Sequence, residues 1–107
     1  MRGRSMKSGY RILWTDHALD ELEKAVEYLQ LNFTDAEITS LAKAIESTLS
    51  HIDRNPSMYP ESAKANGIRR AVILRFNTLY YRVNVNEQQV EILSFFSNRQ
   101  DPNSHEF

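Results

Sequence analysis

Five arginines, Arg69, Arg70, Arg75, Arg82 and Arg99, fall within residues 67–99, where only Glu87 and Glu91 oppose them and the net charge is +3. Guanidinium groups hold phosphates and carboxylates through charge-assisted, often paired hydrogen bonds, which makes this stretch the first candidate binding surface. Taken singly, each arginine also reads as a residue that solvates the open face of a sheet. Tyr80 and Ser97 lie in the same stretch and offer a phenol and a hydroxyl, groups that donate or accept hydrogen bonds. A tyrosine is equally an ordinary strand residue. His17 and His51 read as helix-end residues and His105 as a solvated tail residue, and no pair of them has metal-ligand spacing. With no cysteine in the chain, disulfides, thiolate metal sites and a cysteine nucleophile are excluded. No metal and no cofactor is expected.

These residues must be positioned by a chain of 107 residues, 41% hydrophobic and 25% charged, a composition that suits one ordinary globular domain. A core of that size leaves no room for a large internal cavity, so a surface site or shallow groove is expected. No apolar run approaches the length of a membrane span and no signal-peptide core opens the chain, from which a cytoplasmic protein without membrane contact is expected. Residues 1–5 read as an appended leader ahead of Met6, residues 6–102 as a single domain and residues 103–107 as a tail.

Charge is divided between the two halves. Residues 16–54 hold nine acidic against three basic groups, a net of −6. That acidic surface discourages nucleic acid, so any nucleic-acid contact is expected on the arginine-bearing side.

The elements follow from periodicity. Tyr10-Arg11-Ile12-Leu13-Trp14 is a run of strand formers that stops at the helix-start pair Thr15-Asp16. Leu19, Leu22, Val26, Leu29 and Phe33 then recur at helical spacing. Thr34-Asp35-Ala36-Glu37 fits a capping box opening a second helix, whose stripe is Ile38, Leu41, Ile45, Leu49 and Ile52 and which ends at Asn55-Pro56. The short connection predicts an antiparallel helical hairpin. After a loop over 55–67, three strands are expected at 68–76, 79–85 and 89–96, joined at Asn77-Thr78 and Asn86-Glu87-Gln88. In the first of these, Ile68, Val72, Leu74 and Phe76 are expected on the core face with Arg70, and Arg69 and Arg75 on the other. In the second, Tyr81, Val83 and Val85 face the core while Tyr80, Arg82 and Asn84 point away. The predicted class is α+β, in β-α-α-β-β-β order, with the helical hairpin on one face of a mainly antiparallel four-stranded sheet.

That order, together with Gly67-Ile68-Arg69-Arg70, Leu79-Tyr80-Tyr81-Arg82-Val83, Glu91-Ile92-Leu93 and Phe96-Ser97-Asn98-Arg99-Gln100-Asp101-Pro102, resembles RelE/ParE-type toxins over residues 10–102. The resemblance implies the toxin half of a bacterial type II toxin–antitoxin pair, a plasmid-stabilisation or growth-control function, with a cognate antitoxin as partner. RelE-like members cut mRNA in the ribosomal decoding site, and ParE-like members poison DNA gyrase. Metal-free RNA cleavage needs a base, cationic donors for the phosphorane and an acid for the leaving oxygen. Arg99 matches the arginine that active ribonucleases of the family place after the last strand. Ser97 stands where many relatives carry histidine, and Thr78 where many carry an arginine. A serine hydroxyl does not titrate near neutrality. The expectation is therefore inhibition by binding, in the manner of gyrase-directed members, in preference to RNA cleavage, with Arg69, Arg75, Arg82 and Arg99 on the contact surface. The alternatives are a ribosome-dependent mRNA endonuclease using Arg99, Tyr80 or Ser97, and a non-toxic remnant that only binds an antitoxin.

Overall fold

The computed structural model describes residues 9–97, which form β1 (Arg11–Trp14), α1 (Asp16–Asn32), α2 (Asp35–Arg54), β2 (Glu61–Ser62), β3 (Ala65–Ile73), β4 (Asn77–Asn84) and β5 (Gln89–Ser97). The expectations placed on residues 1–5, on Arg99, on His105 and on the tail lie outside the described residues.

Both helices start where side chains satisfy the first free amides. The Thr15 hydroxyl accepts from Ala18 N at 3.2 Å, and it donates to the Ile92 carbonyl at 2.8 Å, so one residue caps α1 and ties it to β5. At α2 the expected capping box is complete: Glu37 N donates to Thr34 Oγ1 and Thr34 N donates to Glu37 Oε1. Thr34→Ala removes an exposed cap worth about 1 kcal/mol, and thermal denaturation should show a loss of roughly 4–8 °C. An unchanged melting temperature would mean that the box contributes nothing.

The sheet has the order β1-β5-β4-β3-β2, with β1 parallel to β5 and every other neighbouring pair antiparallel. It therefore has five strands and not the four expected. The extra one, β2, is only two residues long and has no periodicity to announce it. It pairs with the start of β3, where the register shifts and Gly67 takes φ +81°, a conformation a side chain would strain. Gly9 serves another purpose: a Cβ there would run into the Asp53 carboxylate, so its bareness lets the chain pass close to α2 before β1.

One sheet face carries both helices. The core gathers Ala18, Ala25 and Leu29 of α1, Leu41 and Ile52 of α2, and Ile73, Leu79, Tyr81, Val90, Ile92 and Phe95 of the sheet. The α1 stripe is thus turned from the expected one, since Leu19 is exposed while Ala18 and Ala25 are buried. Small residues at the contact let the helix lie close to β5, which a count of large apolar residues misses.

The expected faces of β3 are reversed. Ala71 and Ile73 are buried and Val72 is exposed, so Arg69, Ala71 and Ile73 face the helices and Arg70 and Val72 face away. The turn falls at Leu74, Arg75 and Phe76, and Asn77 and Thr78 open β4. In β4 the expected faces hold for Tyr81 and Val83, whereas Val85 lies beyond the strand and is exposed.

Tyr81 is wholly buried and its hydroxyl donates to the Pro56 carbonyl at 2.7 Å. Burial pushes this phenol up from 10 to about 12, with Arg69 acting in the opposite direction. A folded-state value above the unfolded one means that stability is complete below pH 10 and falls as pH rises toward 12. Near pH 11.5 the loss should reach about 2 kcal/mol, measured by denaturant unfolding against pH, and Tyr81→Phe should abolish that component. Parallel profiles for the two proteins would sink this assignment.

Candidate functional site

The arginines expected to act together are distributed by the fold. Arg69 projects on the helix side, half-buried, and its Nη1 donates to the Tyr59 carbonyl at 2.7 Å and the Ser57 carbonyl at 3.3 Å. It fastens the loop after α2 to the sheet. Arg82 stands on the opposite face, paired across the strands with Glu91, whose Oε1 accepts from Arg82 Nε at 2.9 Å and from Nη2 at 2.6 Å. Arg70, expected on the apolar face, is exposed on the face away from the helices, and its backbone amide donates to the Pro60 carbonyl. Arg75 is at the β3–β4 turn, its guanidinium 5.5 Å from the centroid of the Phe76 ring. Tyr80 and Thr78 also stand away from the helices, yet both are buried. Among the described residues no group of three His, Asp or Glu side chains is gathered for a metal ion.

A different set of residues does converge. Asn77 is the first residue of β4 and Ser97 the last of β5, and the two are partners in register at the end of the sheet. Above them the helical hairpin leaves a cleft of about 220 Å³. Its walls include Leu29, Leu41 and Leu74, its floor Asn77 and Ser97, and its edge Ser40 and Glu37. Ser97 is 7% exposed and lies on this floor.

The β3–β4 turn forms one side of the cleft. Leu74 has φ 49° and Arg75 φ 70°, a left-handed conformation that non-glycine residues adopt at a cost of order 1 kcal/mol each. Phe76 N donates back to the Leu74 carbonyl at 2.6 Å, closing the turn over three residues. Neither residue announces a turn, so sequence patterning moves the turn to Asn77-Thr78. The result is an apolar tip: Val72 is 52% exposed, Leu74 51% and Phe76 38%.

Glu21 is a second residue that the sequence gives no reason to single out. Beside Trp14 the parallel β1–β5 ladder ends at Ile92, and beyond it β5 contains an extra residue opposite Tyr80 and Tyr81. There the Glu21 carboxylate takes over from a neighbouring strand. Its Oε1 accepts from Phe95 N at 2.8 Å and Ser94 Oγ at 2.7 Å, and it lies 3.3 Å from His17 Nε2. This anchors the segment that leads to Ser97.

Comparisons with known proteins bear on the fold and the family. Comparison with curated protein sequences finds no match. Among solved structures, the chromosomal ParDE system from P. aeruginosa is similar with a TM-score of 0.68 and 13% identity, over 82% of this chain and 95% of that one. A RelBE toxin–antitoxin complex from Mycobacterium tuberculosis gives 0.60 and 20%, over 85% and 93%. A YoeB/ParE toxin from Agrobacterium tumefaciens gives 0.60 and 21%, over 81% and 96%. At these identities the likeness establishes a shared fold. The family model for the ParE toxin of the type II toxin–antitoxin system parDE matches residues 12–102. With strand order, helical hairpin and nearly the whole chain in agreement, this protein belongs to the ParE toxin family of type II toxin–antitoxin systems.

Proposed function

We propose that this toxin inhibits its cellular target by binding, as gyrase-directed members do, and that a cognate antitoxin neutralises it by docking on the β3–β4 tip. The observation that carries the docking is the pair of exposed apolar residues Leu74 and Phe76 in a left-handed turn at the cleft, with Val72 exposed just before them in β3. Backbone strain and exposed apolar side chains in one place are features of recognition sites. An antitoxin segment that is disordered when free would fold over this surface, burying enough apolar area to offset the ordering cost.

Inhibition by binding is supported by what the sheet's polar and cationic side chains offer. Ser97 supplies a hydroxyl where acid–base work calls for an imidazole, while Arg69 and Arg82 are engaged with backbone carbonyls and with Glu91. Arg75 and Arg99 remain as contact residues of the reading. The test pairs a gyrase supercoiling assay with primer extension on mRNA under translation in a purified system. Inhibited supercoiling with intact mRNA is the expected result. New 5′ ends that require ribosomes and vanish in Arg99→Ala would replace this reading with an mRNA endonuclease. Harmless overexpression with no effect in either assay would leave an antitoxin-binding protein without toxicity.

A further inference from the structure

We propose that the cleft between the helical hairpin and the β3–β4 turn is a receptor for one arginine side chain of the antitoxin. The proposal rests on the docking reading above for the identity of the partner, but the pocket chemistry stands on its own residues. Asn77 Nδ2 donates to the Ile73 carbonyl at 3.2 Å. A carbonyl only accepts, so the amide orientation is fixed and Oδ1 is the atom left over. Asn77 is 6% exposed and Ser97 7%, and among the described residues neither Asn77 Oδ1 nor Ser97 Oγ has a hydrogen-bond partner. Buried polar atoms are nearly always satisfied; Asn77 Oδ1 can only accept, and Ser97 Oγ accepts as readily as it donates, so the floor of the cleft suits a group that supplies donors.

The rest of the lining specifies the donor. Glu37 uses Oε1 in the α2 capping box, leaving its second oxygen and its charge at the edge of the cleft, near Ser40. With Asn77 Oδ1, Ser97 Oγ and the Glu37 carboxylate, acceptors dominate. Leu29, Leu41 and Leu74 form walls that suit an alkyl stem. A guanidinium carries five N–H donors and no acceptor, is less strongly hydrated than an ammonium, and sits on an apolar stem. The surrounding helices, at −6 over residues 16–54, draw a cation toward the opening.

The pocket can be tested without the antitoxin by titrating the toxin with n-butylguanidinium and following amide shifts by NMR. Saturable shifts at Asn77 and Ser97 are expected, with a Kd on the order of millimolar for so small a probe. The uncharged n-butylurea should bind about tenfold more weakly. Glu37→Gln keeps the capping box while removing the charge, and Ser97→Ala removes one floor acceptor. Each should weaken the probe several-fold with melting temperature unchanged. Equal affinity for butylurea, or no saturable shift at Asn77 and Ser97, would overturn the proposal. Binding that emerges only in Arg99→Ala would also overturn it, by assigning the pocket to an arginine of the toxin itself. If the probe binds as expected but replacing each antitoxin arginine by glutamine leaves the complex intact, the partner assignment falls and the docking reading is judged separately by the Leu74 variants below.

Discussion

Leu74→Glu should weaken the toxin–antitoxin complex about a hundredfold, measured by calorimetry or surface binding, while leaving the fold intact. Leu74 combines the attributes of a central contact: it is half-exposed, apolar, in a turn closed by a backbone hydrogen bond and at the wall of the cleft. Side chains that fill a desolvated pocket cost about 2–4 kcal/mol when lost, and a buried charge adds to that. The fold should tolerate the change because the side chain is outside the core cluster. Leu74→Gly makes the test sharper. Glycine suits φ 49°, so stability should hold or rise, yet the apolar contact disappears. Lower affinity with equal or higher melting temperature separates recognition from folding. Affinity within about threefold of the parent in both variants would place the antitoxin elsewhere on the domain.

The second large effect is on stability. Glu21→Ala strands two buried donors at once, the Phe95 amide and the Ser94 hydroxyl, on a stretch of β5 that β1 no longer flanks. An unsatisfied buried donor costs about 1–3 kcal/mol, and the two share one acceptor, so the expected total is about 3 kcal/mol. For a domain of this size that corresponds to roughly 10–20 °C in melting temperature. Glu21→Gln retains an acceptor oxygen and should recover at least half of the loss. Hydrogen exchange gives an independent reading, since the Phe95 amide should lose protection in Glu21→Ala more than amides of the β3–β4 ladder. A variant that melts within about 3 °C of the parent would show that water replaces the carboxylate.

The elements that local rules govern are legible along the chain. Thr15 and Thr34 announced the two helix starts because a cap is a contact between residues three apart, and the α2 stripe from Ile38 to Ile52 repeats with the helix. Element order and the resemblance carried by residues 10–102 were enough to place the chain among RelE/ParE-type toxins, and the ParE family model agrees. What was not local was not legible. The faces of β3 depended on where the turn fell, and the turn is made by Leu74 and Arg75 in a conformation their side chains disfavour, so no turn signature was present. A strand alternates with period two, and a misplaced turn therefore exchanged the faces assigned to Arg69 and Arg70.

The candidate site shows the same division. The arginines were visible as residue types, but their partners come from the loop after α2 for Arg69 and from β5 for Arg82, and only tertiary structure brings those together. Ser97 is legible in the sequence only as a hydroxyl close to Arg99. Its place on the floor of a cleft follows from its register with Asn77, twenty residues earlier, and from the helical hairpin above, whose Leu29 and Leu41 stand more than fifty residues earlier. Local preference acts over three or four residues and can be read along the chain, whereas a site assembled from α1, α2, β4 and β5 exists only after the core has closed.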